Sequence, residues 1–172
     1  MEYLPFVFYG VANPKGEEFT KNTTFFDGMQ LKNLAKQMGY IHLPIHIEHV
    51  TRNNQTGMKV SPSGRTIAAK IDPETQGIGI YFILFNSPNG KYALDAMTTG
   101  TLTQGHLLQQ LSIGYDVERL IKEPVALSNI VKEISIVLQG NREDTHIKAC
   151  SSVKKGDNAD NLVFDTLKKK EN

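Results

Sequence analysis

Two apolar runs joined by a turn decide how this chain folds: Arg65-Thr66-Ile67-Ala68-Ala69-Lys70-Ile71 and Gly77-Ile78-Gly79-Ile80-Tyr81-Phe82-Ile83-Leu84-Phe85. β-Branched and aromatic residues dominate the second run and recur in the first, which favours strands over helices. The connection, Asp72-Pro73-Glu74-Thr75-Gln76-Gly77, is rich in turn formers and predicts a hairpin. Further strand signals lie on either side. Phe6-Val7-Phe8-Tyr9-Gly10-Val11 reads as the first strand and the alternating His42-Leu43-Pro44-Ile45-His46-Ile47-Glu48-His49 as the second. Beyond the hairpin, Leu111-Ser112-Ile113-Gly114-Tyr115-Asp116-Val117, residues 129–138 and Thr145-His146-Ile147-Lys148-Ala149-Cys150 complete a set of seven.

Three helices interrupt the strands. One is expected over 27–38, where Leu31, Leu34, Ala35 and Met38 share a face and Gly39 stands at the C-cap position. A second lies between 89 and 110, broken near Thr98-Thr99-Gly100-Thr101. A third, over 158–170, opens with acidic residues and closes with Lys168-Lys169-Lys170, in keeping with the helix dipole. Seven strands without a βαβ rhythm predict a mainly β fold: a closed antiparallel β-barrel with peripheral helices. The chain has 172 residues, which fits one domain at roughly 150 residues per domain. The barrel core is expected over 5–150.

Charge and composition narrow the function. Nineteen basic against eighteen acidic side chains leave a net charge of +1, too little for a protein that binds nucleic acid by neutralising phosphates. No apolar run approaches the roughly 18 residues of a membrane span. Met1-Glu2-Tyr3-Leu4-Pro5 lacks a basic stretch before an apolar one and does not read as a secretory signal. A single cysteine, Cys150, excludes an internal disulfide and a cysteine-built zinc site. This composition fits a soluble intracellular protein.

Four places can carry chemistry. His49 ends a strand face on which Leu43, Ile45 and Ile47 precede it. The plain reading is an imidazole satisfied by a neighbouring carbonyl; the alternatives are catalysis and metal binding. His42, His46 and His49 have a spacing that would gather on a helix, but Pro44 and the alternation argue for a strand, so no metal site is expected. Ser112 lies between Leu111 and Ile113, with Gly114 allowing a substrate close to the backbone; equally it is a polar residue in a strand. The segment lacks the Gly-x-Ser-x-Gly elbow. Glu133 shares a strand face with Val131, Ser135 and Val137, where a carboxylate is costly unless partnered, and otherwise reads as a surface acid. Gln139-Gly140-Asn141-Arg142 is a turn whose N–H groups can face an anion, or an ordinary hairpin.

In this order the segments resemble the capsid maturation proteases, the herpesvirus assemblins and tailed-phage prohead proteases. Phe6-Val7-Phe8-Tyr9-Gly10-Val11-Ala12 resembles their opening strand, and Gly77 to Phe85 their central one. Leu43-Pro44-Ile45-His46-Ile47-Glu48-His49 is similar to the assemblin stretch that ends in the catalytic histidine. Leu111-Ser112-Ile113-Gly114-Tyr115 resembles the nucleophile strand in its phage form, and Lys132-Glu133-Ile134-Ser135-Ile136-Val137 the phage strand bearing the acidic member. Gly140-Asn141-Arg142 falls where assemblins place a Gly-Arg-Arg oxyanion loop. The likeness covers roughly residues 5–150 in short dispersed blocks. The chain departs from the herpesvirus pattern with Glu133 for a third-position histidine, Leu-Ser-Ile-Gly for Leu-Ser-x-Ser, and Asn141 for the first loop arginine.

The resemblance implies a single protease domain over 1–172. It implies a serine endopeptidase that cleaves internal scaffold protein, and itself, during procapsid maturation. Ser112, His49 and Glu133 would form the triad, and Asn141 and Arg142 the oxyanion hole. It implies no cofactor, a homodimer packed through the 158–170 helix, indirect contact with capsid shell proteins, and work inside the procapsid in the host nucleus or cytoplasm. Cys150, in the last strand with no cysteine-protease block around it, reads as a structural thiol. A non-enzymatic β-barrel, serving as a capsid scaffold component or a binding module, would explain the strands without a triad. Such a barrel would not need His49 and Ser112 to meet.

Overall fold

The computed structural model describes residues 2–13, 42–115, 131–138 and 146–152. They form seven strands: β1 (Tyr3–Asn13), β2 (Pro44–Ile47), β3 (Gly64–Ile71), β4 (Ile78–Phe85), β5 (Gln110–Tyr115), β6 (Val131–Val137) and β7 (Ile147–Ser152). One helix, α1 (Pro88–Thr98), follows β4. The strands make one sheet in the order β5-β6-β2-β3-β4-β1-β7. β3 and β4 form the expected hairpin. Its Asp72–Gly77 turn is closed by Asp72 N–H to Gly77 O at 2.8 Å, and the Asp72 carboxylate accepts from Thr75 N–H at 2.9 Å.

β4 anchors the sheet because both of its faces are covered. Ile78, Ile80, Phe82 and Leu84 point inward, onto Phe8 of β1, Leu111 and Ile113 of β5, and Ile134 and Ile136 of β6. Phe82 pairs with Phe8 across β1, and their rings stack at 5.4 Å between centroids. On the other face Tyr81 and Ile83 pack with Val7 and Tyr9. There the Tyr9 hydroxyl donates to Asp72, and the Lys70 ammonium lies 5.5 Å from the Tyr9 ring centre. α1 lays Ala93, Ala96 and Met97 on the inner core. It starts at Ser87, whose Oγ accepts from Gly90 N–H at 3.1 Å, with Pro88 in the first turn where its missing N–H costs nothing.

Three expectations change. The sheet curls strongly without completing a closed barrel. Its ends meet at one bridge, Gln110 with His146, and at Ile147 N–H to Gln109 O, 2.9 Å. Nor is the sheet wholly antiparallel. β2 runs parallel to β6, with Ile45 opposite Ile134, His46 opposite Ser135 and Ile47 opposite Ile136. Strand alternation says nothing of direction, so this pairing was not readable from pattern. Finally, the helix expected between 89 and 110 stops at Thr98, where the break was expected, and does not resume before β5. Thr99 caps it by donating to Asp95 O, and Gly100, at φ 67°, starts a run of turns. The segments 27–38, 139–145 and 158–170 lie outside the described residues. Among the described residues no helix is long and apolar enough to cross a membrane.

Phe82 is wholly buried on the strand that joins both cores. Truncation there removes a ring from close packing. Phe82→Ala is expected to cost about 3–5 kcal/mol, measured as a shift in guanidinium midpoint at unchanged slope.

Candidate active site

β2 stops at Ile47, and the next two residues carry His49 away from the path of the strand. Glu48 and His49 take left-handed backbone, with φ of 51° and 59°. For residues with a Cβ this costs on the order of 1 kcal/mol or more each. The turn is held from outside, mostly by β6. Val50 N–H closes on Ile47 O at 2.9 Å, and Glu48 N–H continues the parallel ladder to Ile136 O at 3.0 Å. The Glu48 carboxylate accepts from Leu138 N–H at 2.6 Å, and His49 N–H donates to Ser135 Oγ at 3.1 Å.

Alternation along β2 would set His49 beside Ile45 and Ile47. The left-handed turn overrides it: His49 lines a cleft together with Pro44 and His46, of the opposite parity. That face holds the other candidates. In the β5–β6 pairing Ser112 is opposite Ser135 and Gly114 is opposite Glu133. His46 lies in the same row, opposite Ser135. The inward face between them is apolar: Leu111, Ile113, Ile134, Ile136 and Ile45.

His49, Ser112 and Glu133 therefore meet, although they come from a turn and two strands. His49 Nδ1 is 2.6 Å from Glu133 Oε1, and His49 Nε2 is 3.0 Å from Ser112 Oγ. With the ring neutral and its proton on Nδ1, the imidazole donates to the carboxylate and accepts from the hydroxyl. Ser135 Oγ donates to the second carboxylate oxygen, Oε2, at 2.6 Å. Glu133, Ser112 and Ser135 are all buried, whereas the His49 side chain is 41% exposed. The ring thus has one edge fixed in the protein and one side open to a ligand.

The electrostatics follow from these contacts. The hydrogen bond to Glu133 holds the His49 imidazole above its ordinary value, with burial opposing and the Glu133 and Glu48 charges assisting. Because the folded state raises this pKa, the pair's contribution to stability is full below about 6.5 and is lost as pH rises through the higher folded value. Burial pushes His46 the opposite way, below its ordinary value, partly countered by Glu133.

Gly114 has a use beyond the substrate access expected of it. A Cβ built there would lie 1.7 Å from Glu133 Oε1, so the missing side chain is the space the carboxylate occupies. Ser135 was missed as a member of the site. Its signal was present, since it stands two residues after Glu133 on the same strand face. The three histidines of the metal alternative do not converge: His42 Nδ1 lies 2.9 Å from Thr66 O. Among the described residues no group of three or more His, Cys, Asp or Glu is placed to hold a metal ion. Asn141 and Arg142 fall outside the described residues. Cys150 sits opposite Phe8 in the β1–β7 ladder.

Comparison with known proteins gives a fold and no family. No protein-family description matches the chain, and no curated protein matches it. Among solved structures it is similar to the Kaposi's sarcoma herpesvirus protease in complex with an allosteric inhibitor. The TM-score is 0.52 at 16% identity, covering 94% of this chain and 88% of that one. At that identity the likeness shows a shared fold alone.

If Glu133 sets the His49 pKa, a ring-proton NMR titration of the folded protein will find His49 titrating above the ordinary imidazole value of about 6.5. Glu133→Gln is expected to lower it. Gly114→Ala, which displaces the carboxylate without removing it, is expected to lower it as well. An unchanged His49 titration in both variants would contradict the assignment.

Proposed function

We propose that the protein is a serine endopeptidase working through a Ser112–His49–Glu133 triad. The observation that carries this reading is the continuous chain Ser112 Oγ, His49 Nε2, His49 Nδ1, Glu133 Oε1, with links of 3.0 and 2.6 Å. A binding barrel has no need to bring these residues together, so their meeting favours the enzyme over the non-catalytic alternative. Three separate segments supply the groups, and two further features, the vacated Cβ space at Gly114 and the Ser135 hydroxyl, serve the same carboxylate.

Ser112 Oγ attacks the carbonyl carbon of the scissile peptide bond while its proton passes to His49 Nε2. A tetrahedral oxyanion forms. Glu133 keeps the Nδ1 proton in place and stabilises the imidazolium. His49 then gives the Nε2 proton to the departing amine, the C–N bond breaks, and an acyl-serine remains. Water, losing its proton to His49, releases the acid and restores the serine. Following the resemblance, Asn141 N–H and Arg142 supply the oxyanion donors. The cycle needs no cofactor.

The resemblance in the sequence also implies the biological setting. The substrate is internal scaffold protein, and the chain itself, inside a viral procapsid. The working form is a homodimer through the 158–170 helix, with capsid shell proteins as indirect neighbours. The site of action is the infected cell, nuclear or cytoplasmic according to the virus.

Ser112→Ala is expected to abolish cleavage of a peptide library while leaving circular dichroism unchanged; full cleavage by that variant would end the mechanism. The active base is neutral His49, and its pKa lies above the ordinary value. The wild-type rate is therefore expected to rise with pH to an inflection above about 6.5. Glu133→Gln should move that inflection down and lower kcat by orders of magnitude, because the wrong tautomer is then favoured. A rate flat from about pH 5 to 8 would remove His49 as the base.

A further inference from the structure

We infer that the cleft beside the triad is a subsite for an acidic stretch of polypeptide, with Arg52, Lys59 and Lys132 as its specificity-determining residues. The inference rests on the protease reading above and adds the chemistry of the substrate. The cleft has a volume of about 720 Å³, and His49, Glu133 and Gly114 line it together with these three cations. It is therefore continuous with the hydrogen-bonded histidine, whose Nε2 lies 3.0 Å from Ser112 Oγ.

The cations come from two separate segments of the chain. Arg52 and Lys59 face one another across a short β-bridge, and the Arg52 guanidinium is tied to Gly57 O at 3.1 Å. Lys132 stands on β6, next to Glu133. All three are exposed, and none is ion-paired among the described residues. The one carboxylate among the described residues lining the cleft, Glu133, is already held by His49 and Ser135. Three cations against one carboxylate leave the cleft lining with an excess of positive charge, in a chain whose net charge is only +1. Such concentration is local rather than a general basic surface. Three exposed cations lining one cleft favour a carboxylate-bearing segment there and repel a basic one.

The test uses full-length protein carrying Ser112→Ala, so that bound peptide survives. Its probe is a fluorescein-labelled peptide with several glutamates, compared by anisotropy with the same peptide carrying glutamines. The glutamate peptide is expected to bind about tenfold tighter or more, on the scale of several partly exposed charge pairs. The advantage should shrink as salt rises and disappear in Lys59→Glu/Lys132→Glu, with circular dichroism checking the fold. Equal affinities, no binding of either peptide, or an oligonucleotide of matched charge binding as tightly would each overturn the inference. The wild-type protein on an unbiased peptide library separates this from the parent reading. Cleavage without enrichment of acidic residues near the cut bond sinks the subsite alone. Glutamate-selective binding without any cleavage sinks the protease and leaves the acidic cleft.

Discussion

A carboxylate taken out of water must be met by donors, and the site is organised around that demand at Glu133. The residue is 5% exposed. Left alone, an ionised carboxylate so placed is strongly unfavourable. Here one oxygen faces His49 Nδ1 and the other receives the Ser135 hydroxyl. Ser135 in turn accepts from the His49 backbone N–H, so the same few atoms that satisfy the acid also fix the histidine's position. Removing any one of them leaves the rest either unpaired or misaimed. Networks of this kind confer one geometry because partial versions are costly.

The scaffold makes the arrangement possible through strand direction. A parallel β2–β6 pair puts the end of β2 alongside the C-terminal end of β6, so the turn after Ile47 is delivered to Ser135, Ile136 and Leu138. Backbone that is unfavourable by itself at Glu48 and His49 is stabilised there by bonds to β6. The antiparallel β5–β6 pair then fixes the depth, setting Ser112 opposite Ser135 and Gly114 opposite Glu133. Behind this wall the inner residues of β4, β5 and β6 form one apolar core. Rotation of a strand to bring out the other face would expose Ile134 and Ile136. The core therefore locks the register on which the meeting of Ser112, His49 and Glu133 depends.

Much of the fold was legible because alternation and turn chemistry are local signals. The β3–β4 hairpin, its Asp72-to-Gly77 turn and the other strands follow from residue pattern alone. Strand pairing and direction are long-range choices, and neither the parallel β2–β6 contact nor the incomplete closure at Gln110 and His146 leaves a local mark. Ser112 and Glu133 could be placed on their strands by parity. His49 could not, since the parity argument assumes extended backbone and the chain turns left-handed at Glu48. The small size of Gly114 is legible, but its neighbour is not: the space it vacates is filled by a carboxylate from the next strand. The likeness in fold to a herpesvirus protease agrees with the order of the blocks, while 16% identity explains why no single block was distinctive.

The account stands on the orientation of one ring, and nitrogen NMR of His49 reads that orientation directly. Above its pKa, with Glu133 accepting at Nδ1, the ¹⁵N shifts should show the proton on Nδ1 and a bare Nε2 facing Ser112. A neutral His49 found protonated on Nε2, or averaging freely between the two tautomers, would mean that the carboxylate does not hold the imidazole and that the three side chains do not act as one unit.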